Sequence, residues 1–183
     1  MSTRNLPRAI IIGAISGLAA TYLMDQFLGL VSSGQKALEK QEKIAAGESP
    51  WTIAHEQALA EEEAAHHEGS TEAIARKISE AAGQHLLPDQ KKTAGQAVHF
   101  TFGTLMGITY AVAAEQVPEV ATGGGFAYGT LLFLGADEIA VPALKLSSPA
   151  SLTPPADHLR YWAAHVVYGS SLELVRKLLR RLW

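Results

Sequence analysis

Residues 9–24, 94–114 and 120–136 contain no charged side chain. The first stretch continues apolar through residues 27–31 beyond Asp25, and the third through residues 139–144 beyond Asp137 and Glu138. A membrane-spanning helix needs about 20 predominantly apolar residues, within a range of roughly 17–25. All three stretches meet that requirement, and none has the polar face that a surface helix of a soluble bundle carries. A fourth helix is expected from Pro154-Pro155 onward, because proline favours a helix start and no breaker follows. Only 12 uncharged residues lie between Arg160 and Glu173, so its neighbours would have to screen it from lipid. Arg160 at one end and Arg176, Lys177, Arg180 and Arg181 at the other can reach the two interfaces.

Between the first two apolar stretches the texture reverses. Residues 33–93 hold 18 of the 33 charged side chains and a net charge of −4. Ser49-Pro50 opens a polar helix running through Ala65, and Ser70 opens another that ends near Gly83. Pro88 then starts the helix that becomes the second span. The expected fold is all-α: a four-helix transmembrane bundle from residues 1–32 and 88–183, with residues 33–87 as a polar, acidic helical insertion. That insertion is expected to cap the bundle or to offer a partner surface.

Composition narrows the functions. The chain is 48% hydrophobic and 18% charged, too apolar to be disordered. Its net charge of −3 and lack of a basic patch argue against nucleic acid as a partner. Without cysteine it is neither a disulfide scaffold, a Cys-ligated zinc protein nor a thiol enzyme. It also lacks a nucleophile elbow, a P-loop, a dinucleotide fingerprint and an HExxH motif, so an enzyme is not the expected reading. Gly123-Gly124-Gly125 reads as a turn. The N-terminal apolar stretch exceeds the 7–15 residues usual for the core of a signal peptide.

The apolar helices repeat. At an offset of 112, Gly13, Gly17 and Asp25 fall on Gly125, Gly129 and Asp137. At an offset of 66, His99, Phe102 and Gly103 fall on His165, Tyr168 and Gly169. The chain thus reads as a duplicated helical hairpin, with the change in offset measuring the insertion. Gly13 and Gly17, Gly103 and Gly107, and Gly125 and Gly129 are GxxxG pairs suited to close helix packing in lipid, and Gly169 extends that set. His99, Gly103, Gly107 and Tyr110 share one stripe, as do His158, Trp162, His165, Gly169 and Glu173.

Alternating helix direction then sets Asp25, His99, Asp137, Glu138, His158 and His165 at one end of the bundle. Ionisable groups within a membrane helix usually face the interior and mark a site. The plainer alternative is that the carboxylates merely end their helices at the interface. Glu61, Glu62 and Glu63 near His66 and His67 read as a solvated helix face, because adjacent histidines project in different directions. Arg4, Arg8 and the basic C-terminus, set against a short second loop without basic residues, point to cytoplasmic termini and a periplasmic insertion.

The first helix ending Tyr22-Leu23-Met24-Asp25, His99 with Gly103, Gly107 and Tyr110, Glu138 with Pro142, and His158 followed by His165, Tyr168 and Gly169 together resemble the YagU-type bacterial inner-membrane proteins. The resemblance covers about 100 residues of the spans and omits the insertion. It implies an inner-membrane protein linked to survival in acid, with no defined catalysis and no catalytic residues to carry over.

Three functions suit these residues. The cluster can bind or conduct a proton, a cation or a small solute, with imidazoles that ordinarily titrate between about pH 5 and 8. It can hold a metal through His99, His165 and Glu138, or a haem between His99 and His165. Or the chain is an accessory subunit. In each case the bilayer is its surroundings, and a homo-oligomer or a larger membrane complex is the expected assembly.

Overall fold

The computed structural model describes residues 6–147 and 150–182, and those residues are helical with no strand. Arg4, one of the residues used for orientation, lies outside them. Helix α1 spans Leu6–Ala45, α2 Pro50–His66, α3 Ser70–Ala81 and α4 Pro88–Gln116. A 3₁₀ turn, Pro118–Ala121, leads to α5, Phe126–Leu132, which runs on as a π-helix, Phe133–Ala140, and a last turn, α6, Val141–Ala143. A second 3₁₀ turn, Ala150–Leu152, precedes α7, Pro155–Leu182.

The starts follow local chemistry. The Ser49 hydroxyl accepts the Thr52 amide ahead of α2, and the Gln90 side chain accepts the Leu87 amide ahead of α4. One boundary differs from the expectation. α1 does not stop near residue 32 but continues to Ala45, so the first quarter of the polar insertion is a prolongation of the first expected span. Its residues are mostly good helix formers, and Lys36 and Lys43 bind Glu61 and Glu56 of α2, holding that helix back against α1. α5 begins at Phe126, directly after the Gly123-Gly124-Gly125 turn, where all three glycines take positive φ.

α1 packs along both α4 and α7, α5 packs on α7, and α3 lies on α4. The α1–α4 seam is a meeting of backbones. A Cβ placed on Gly107 would stand 2.6 Å from the Gly13 carbonyl and 2.6 Å from the Gly17 Cα. The α5–α7 seam is equally close, with Gly129 against the His165 carbonyl and Gly169 against Gly125.

The core holds Met24, Tyr110, Tyr168 and Leu172, yet many large apolar side chains stay at the surface. The buried positions of α1 are small or polar except for Ile12 and Met24: Ala9, Gly13, Ser16, Gly17, Ala20 and Thr21. Large apolar side chains point outward, among them Ile11, Ile15, Leu18, Leu105, Leu131 and Leu174, each more than 40% exposed. Two helices, α1 and α4, are long and apolar enough to cross a membrane. Only 39% and 28% of their most apolar windows are buried within the molecule, whereas the core helix of a soluble protein would be mostly covered. The other two expected spans do not reach that standard for visible reasons. The third is interrupted by its π-helical stretch, and the fourth carries charge at both ends of a short apolar run.

The polar insertion is tied down by charge. Arg76 of α3 binds Glu68 at 2.9 Å, and Lys91 of α4 binds the same carboxylate at 3.4 Å. The Arg76 hydrogen bond holds the Glu68 carboxyl below its ordinary 4.5, opposed by burial. A carboxylate lowered in the folded state stabilises that state above its unfolded value and loses the effect as pH falls through its folded value. Hydrogen exchange over residues 68–92 should therefore quicken below about pH 4, and Glu68→Gln should produce the same quickening at neutral pH. Unchanged exchange in both experiments would mean that this network does not anchor the insertion.

Candidate functional site

Asp25 lies halfway along α1 and His99 in the third turn of α4, on the seam where the glycines bring those helices together. His99 Nε2 stands 3.0 Å from Asp25 Oδ1, and Gln96 Nε2 donates to the other oxygen at 2.9 Å. Two hydrogen bonds to one carboxylate fix its plane, and the His99 ring in turn is aimed by Asp25.

The second pair sits across the bundle. His165 Nδ1 is 2.9 Å from the Tyr161 carbonyl and 3.7 Å from Asp137 Oδ2. Glu138, the next residue, stands 2.6 Å from His158 Nδ1. That adjacent carboxylates both reach α7 is a product of the π-helix. Its wider turns make consecutive side chains diverge less than in an α-helix, and such widened turns recur at functional sites. Since α5 and α7 run oppositely, Asp137 meets the later histidine and Glu138 the earlier one.

All six residues expected to form the cluster thus lie in carboxylate–imidazole pairs: Asp25 with His99, Asp137 with His165, Glu138 with His158. Three of them, His99, Asp137 and His165, line one cavity of about 530 Å³ between α4 and the α5–π-helix rod. Asp25, Glu138 and His158 stand outside its wall. Among the described residues no group of three or more His, Asp or Glu side chains is arranged to hold a metal ion, the Glu61–His67 region and the His99, His165 and Glu138 set included.

Several participants carry weaker sequence signals. Gln96 lies one turn before His99 in a stretch otherwise devoid of long polar side chains, and that spacing is what brings it to Asp25. The Tyr168 hydroxyl donates to the Gly103 carbonyl at 2.6 Å and the Tyr128 hydroxyl to the Met106 carbonyl at 2.8 Å, so both tyrosines bridge the hairpins. Ser70, Thr71 and Ile74 of α3 roof the cavity, a role nothing in the local sequence announces. The roof is pinned by Lys77, which donates to the Leu144 carbonyl at 3.1 Å, and by Glu72 packed on Gly95.

At the opposite end a second polar group is buried. Glu173 and Arg176 form a two-pronged ion pair at 2.6 and 2.9 Å, and Lys177 adds a contact to Glu173 at 3.2 Å. Arg180 binds Glu115 of α4 at 3.2 Å, and Arg8 donates to the Arg180 carbonyl. One end of the helix cluster is therefore acidic and imidazole-rich, the other rich in arginine.

A family model for proteins of unknown function, DUF1440, matches residues 77–174, more than half of the chain. The chain belongs to the DUF1440 family. The DUF1440 match takes in α4, α5 and most of α7, and with them His99, Asp137, Glu138, His158 and His165. Helix α1, with Asp25, lies outside the DUF1440 match. No curated protein and no solved structure matches the chain.

Proposed function

We propose that this protein crosses a membrane with four helices built as two copies of one hairpin, and that its carboxylate–imidazole end binds or conducts a proton, a cation or a small solute. The observation that carries the reading is the mapping of contact onto contact. The offsets that align the sequence take the Asp25–His99 pair onto Asp137–His165. They also take the Gly17–Gly103 approach onto Gly129–Gly169. Chance similarity of small-residue helices would not match both a carboxylate–imidazole contact and a backbone contact. Two hairpins of equal direction make parallel repeats, and membrane carriers commonly hold their sites where repeats meet.

The outward-facing leucines and isoleucines support the bilayer as the solvent of the four helices. Inner-membrane residence, a homo-oligomeric or larger assembly, cytoplasmic termini and a periplasmic insertion belong to the same proposal. So does the YagU-type kinship, which would add a role in acid. Three carboxylate–imidazole pairs suit such a role chemically.

Two measurements test this. The protein should stay with membranes through alkaline carbonate extraction. Reconstituted in liposomes, it should pass protons or monovalent cations above protein-free controls, read with a pH-sensitive dye and an imposed potential. Asp25→Asn and Asp137→Asn should each lower that flux by about tenfold, the effect of losing one charged hydrogen bond. Flux equal to that of empty liposomes in the wild type would remove the conducting reading.

A further inference from the structure

The four helices do not close evenly. α1 and α7 pack against each other along their length, whereas α4 and the α5–π-helix rod are bridged chiefly by Tyr128, which meets Tyr110 and Met106. Below that bridge the two part, and the 530 Å³ cavity fills the gap under the α3 roof. A volume of this size is within the roughly 300–1,000 Å³ of sites for drug-sized ligands.

Its wall is apolar, with Leu28, Val98, Phe102 and Leu132 among the lining side chains. Two polar groups on that wall are already engaged: the Thr21 hydroxyl donates to the Gly17 carbonyl and the Tyr168 hydroxyl to the Gly103 carbonyl. What remains is His99, Asp137, His165, the roof hydroxyls of Ser70 and Thr71, and the Tyr161 hydroxyl, which accepts from Arg160.

The partners of the two imidazoles decide what their neutral forms offer. His165 Nδ1 faces a carbonyl and carries a proton, so in the neutral ring Nε2 is left as an acceptor. His99 Nε2 faces the Asp25 carboxylate and donates to it, so in the neutral ring Nδ1 is left as an acceptor. With the Asp137 carboxylate, the polar side of the cavity therefore presents acceptors and negative charge. A carboxylate or phosphate head would meet repulsion there. A protonated nitrogen would be neutralised and hydrogen-bonded.

The mouth gives the route. Phe102, Leu131 and Leu144 line the cavity and are also 41%, 67% and 62% exposed on the outer apolar face. An occupant thus enters sideways, between α4 and the α5–π-helix rod, from whatever covers that face.

We propose that this cavity binds a lipophilic amine, an apolar body of drug size bearing one protonated nitrogen held by Asp137, that enters from the bilayer. The route of entry rests on the membrane reading above; the head-group assignment rests on the acceptors alone. Three probes with one apolar body separate the possibilities: pyrenylmethylamine, pyrenylmethanol and pyrenylacetate, titrated calorimetrically into the detergent-solubilised full chain against empty micelles. The amine is expected to bind tightest, about tenfold more tightly than the alcohol, with the acetate weakest. Asp137→Asn should abolish the amine's advantage and leave the alcohol unchanged. Gly135→Leu should weaken all three, because Gly135 lines the cavity and a Cβ there meets nothing within 4 Å, so the side chain adds bulk without a clash. An amine no tighter than the alcohol, or an acetate its equal, overturns the head-group assignment. No probe binding above micelles, or no effect of Gly135→Leu, overturns the cavity as a ligand site. Neither result bears on carbonate extraction or flux, which judge the membrane reading separately.

Discussion

Arg176→Met is expected to destabilise the protein by about 3–5 kcal/mol, the usual cost of stranding one partner of a buried ion pair. Glu173 is 1% exposed and Arg176 4%. The guanidinium meets both carboxylate oxygens and stands 5.9 Å from the centre of the Tyr110 ring, itself fully buried. Without Arg176, the only cation left on Glu173 among the described residues is Lys177, whose side chain is more than half exposed and reaches in from the rim. The double replacement Glu173→Met with Arg176→Leu should recover most of the loss, because an apolar pair of similar volume has no charge to desolvate. Unfolding of the solubilised protein by sodium dodecyl sulfate, followed by circular dichroism, measures both. A single variant within about 1 kcal/mol of wild type would show that water reaches this pair.

That ion pair also bears on depth. Glu173 lies eight residues beyond His165 on the same helix, about 12 Å along its axis. If the bundle crosses a membrane as proposed, the arginine-rich and the histidine-rich groups face each other across less than half of a hydrocarbon layer of roughly 30 Å. The cavity occupies the imidazole side of that distance, so a solute held at Asp137 would have Glu173 and Arg176 between it and the other surface. Any conducted ion would need that salt bridge to open.

Much of the helix order was legible from the sequence, because prolines and capping side chains act locally: Pro50, Pro88 and Pro155 each begin a helix as expected. The extension of α1 to Ala45 was not, since a shift from apolar to polar residues marks a change of solvent and not a helix end. The π-helix carries no composition signal at all. Its wide turns begin at Phe133, just after α5 has met α7 at Gly125 and Gly129. For the site, helix direction and spacing set Asp25, His99, Asp137, Glu138, His158 and His165 at one end of the bundle, but not which carboxylate meets which imidazole. The partnership of Glu138 with His158, the part played by Gln96 and the roof made by α3 depend on contacts between distant segments. Periodicity within one helix cannot report those.

Gly17→Ala and Gly129→Ala are each expected to destabilise by about 1–3 kcal/mol, the range for overpacking a filled interior. The atoms a new methyl would meet decide the sign. At Gly17 it would stand 2.7 Å from the Gly103 carbonyl and 3.0 Å from the Thr104 Cα, and at Gly129 it would run into the His165 carbonyl. All of these are backbone atoms that no rotamer change can withdraw, so the helices must part. Elsewhere on α1, a methyl at Gly29 meets nothing within 4 Å. There Ala should stabilise by about 0.5–1 kcal/mol, because glycine in a helix interior costs that much relative to alanine. Denaturation by sodium dodecyl sulfate reads all three variants on one scale. Opposite signs at Gly29 and Gly17 would show that close approach, and not helix propensity, sets the worth of the buried glycines. Equal losses at Gly17 and Gly129 are what two copies of one hairpin require, and a loss at one with none at the other would leave the repeat a matter of sequence alone.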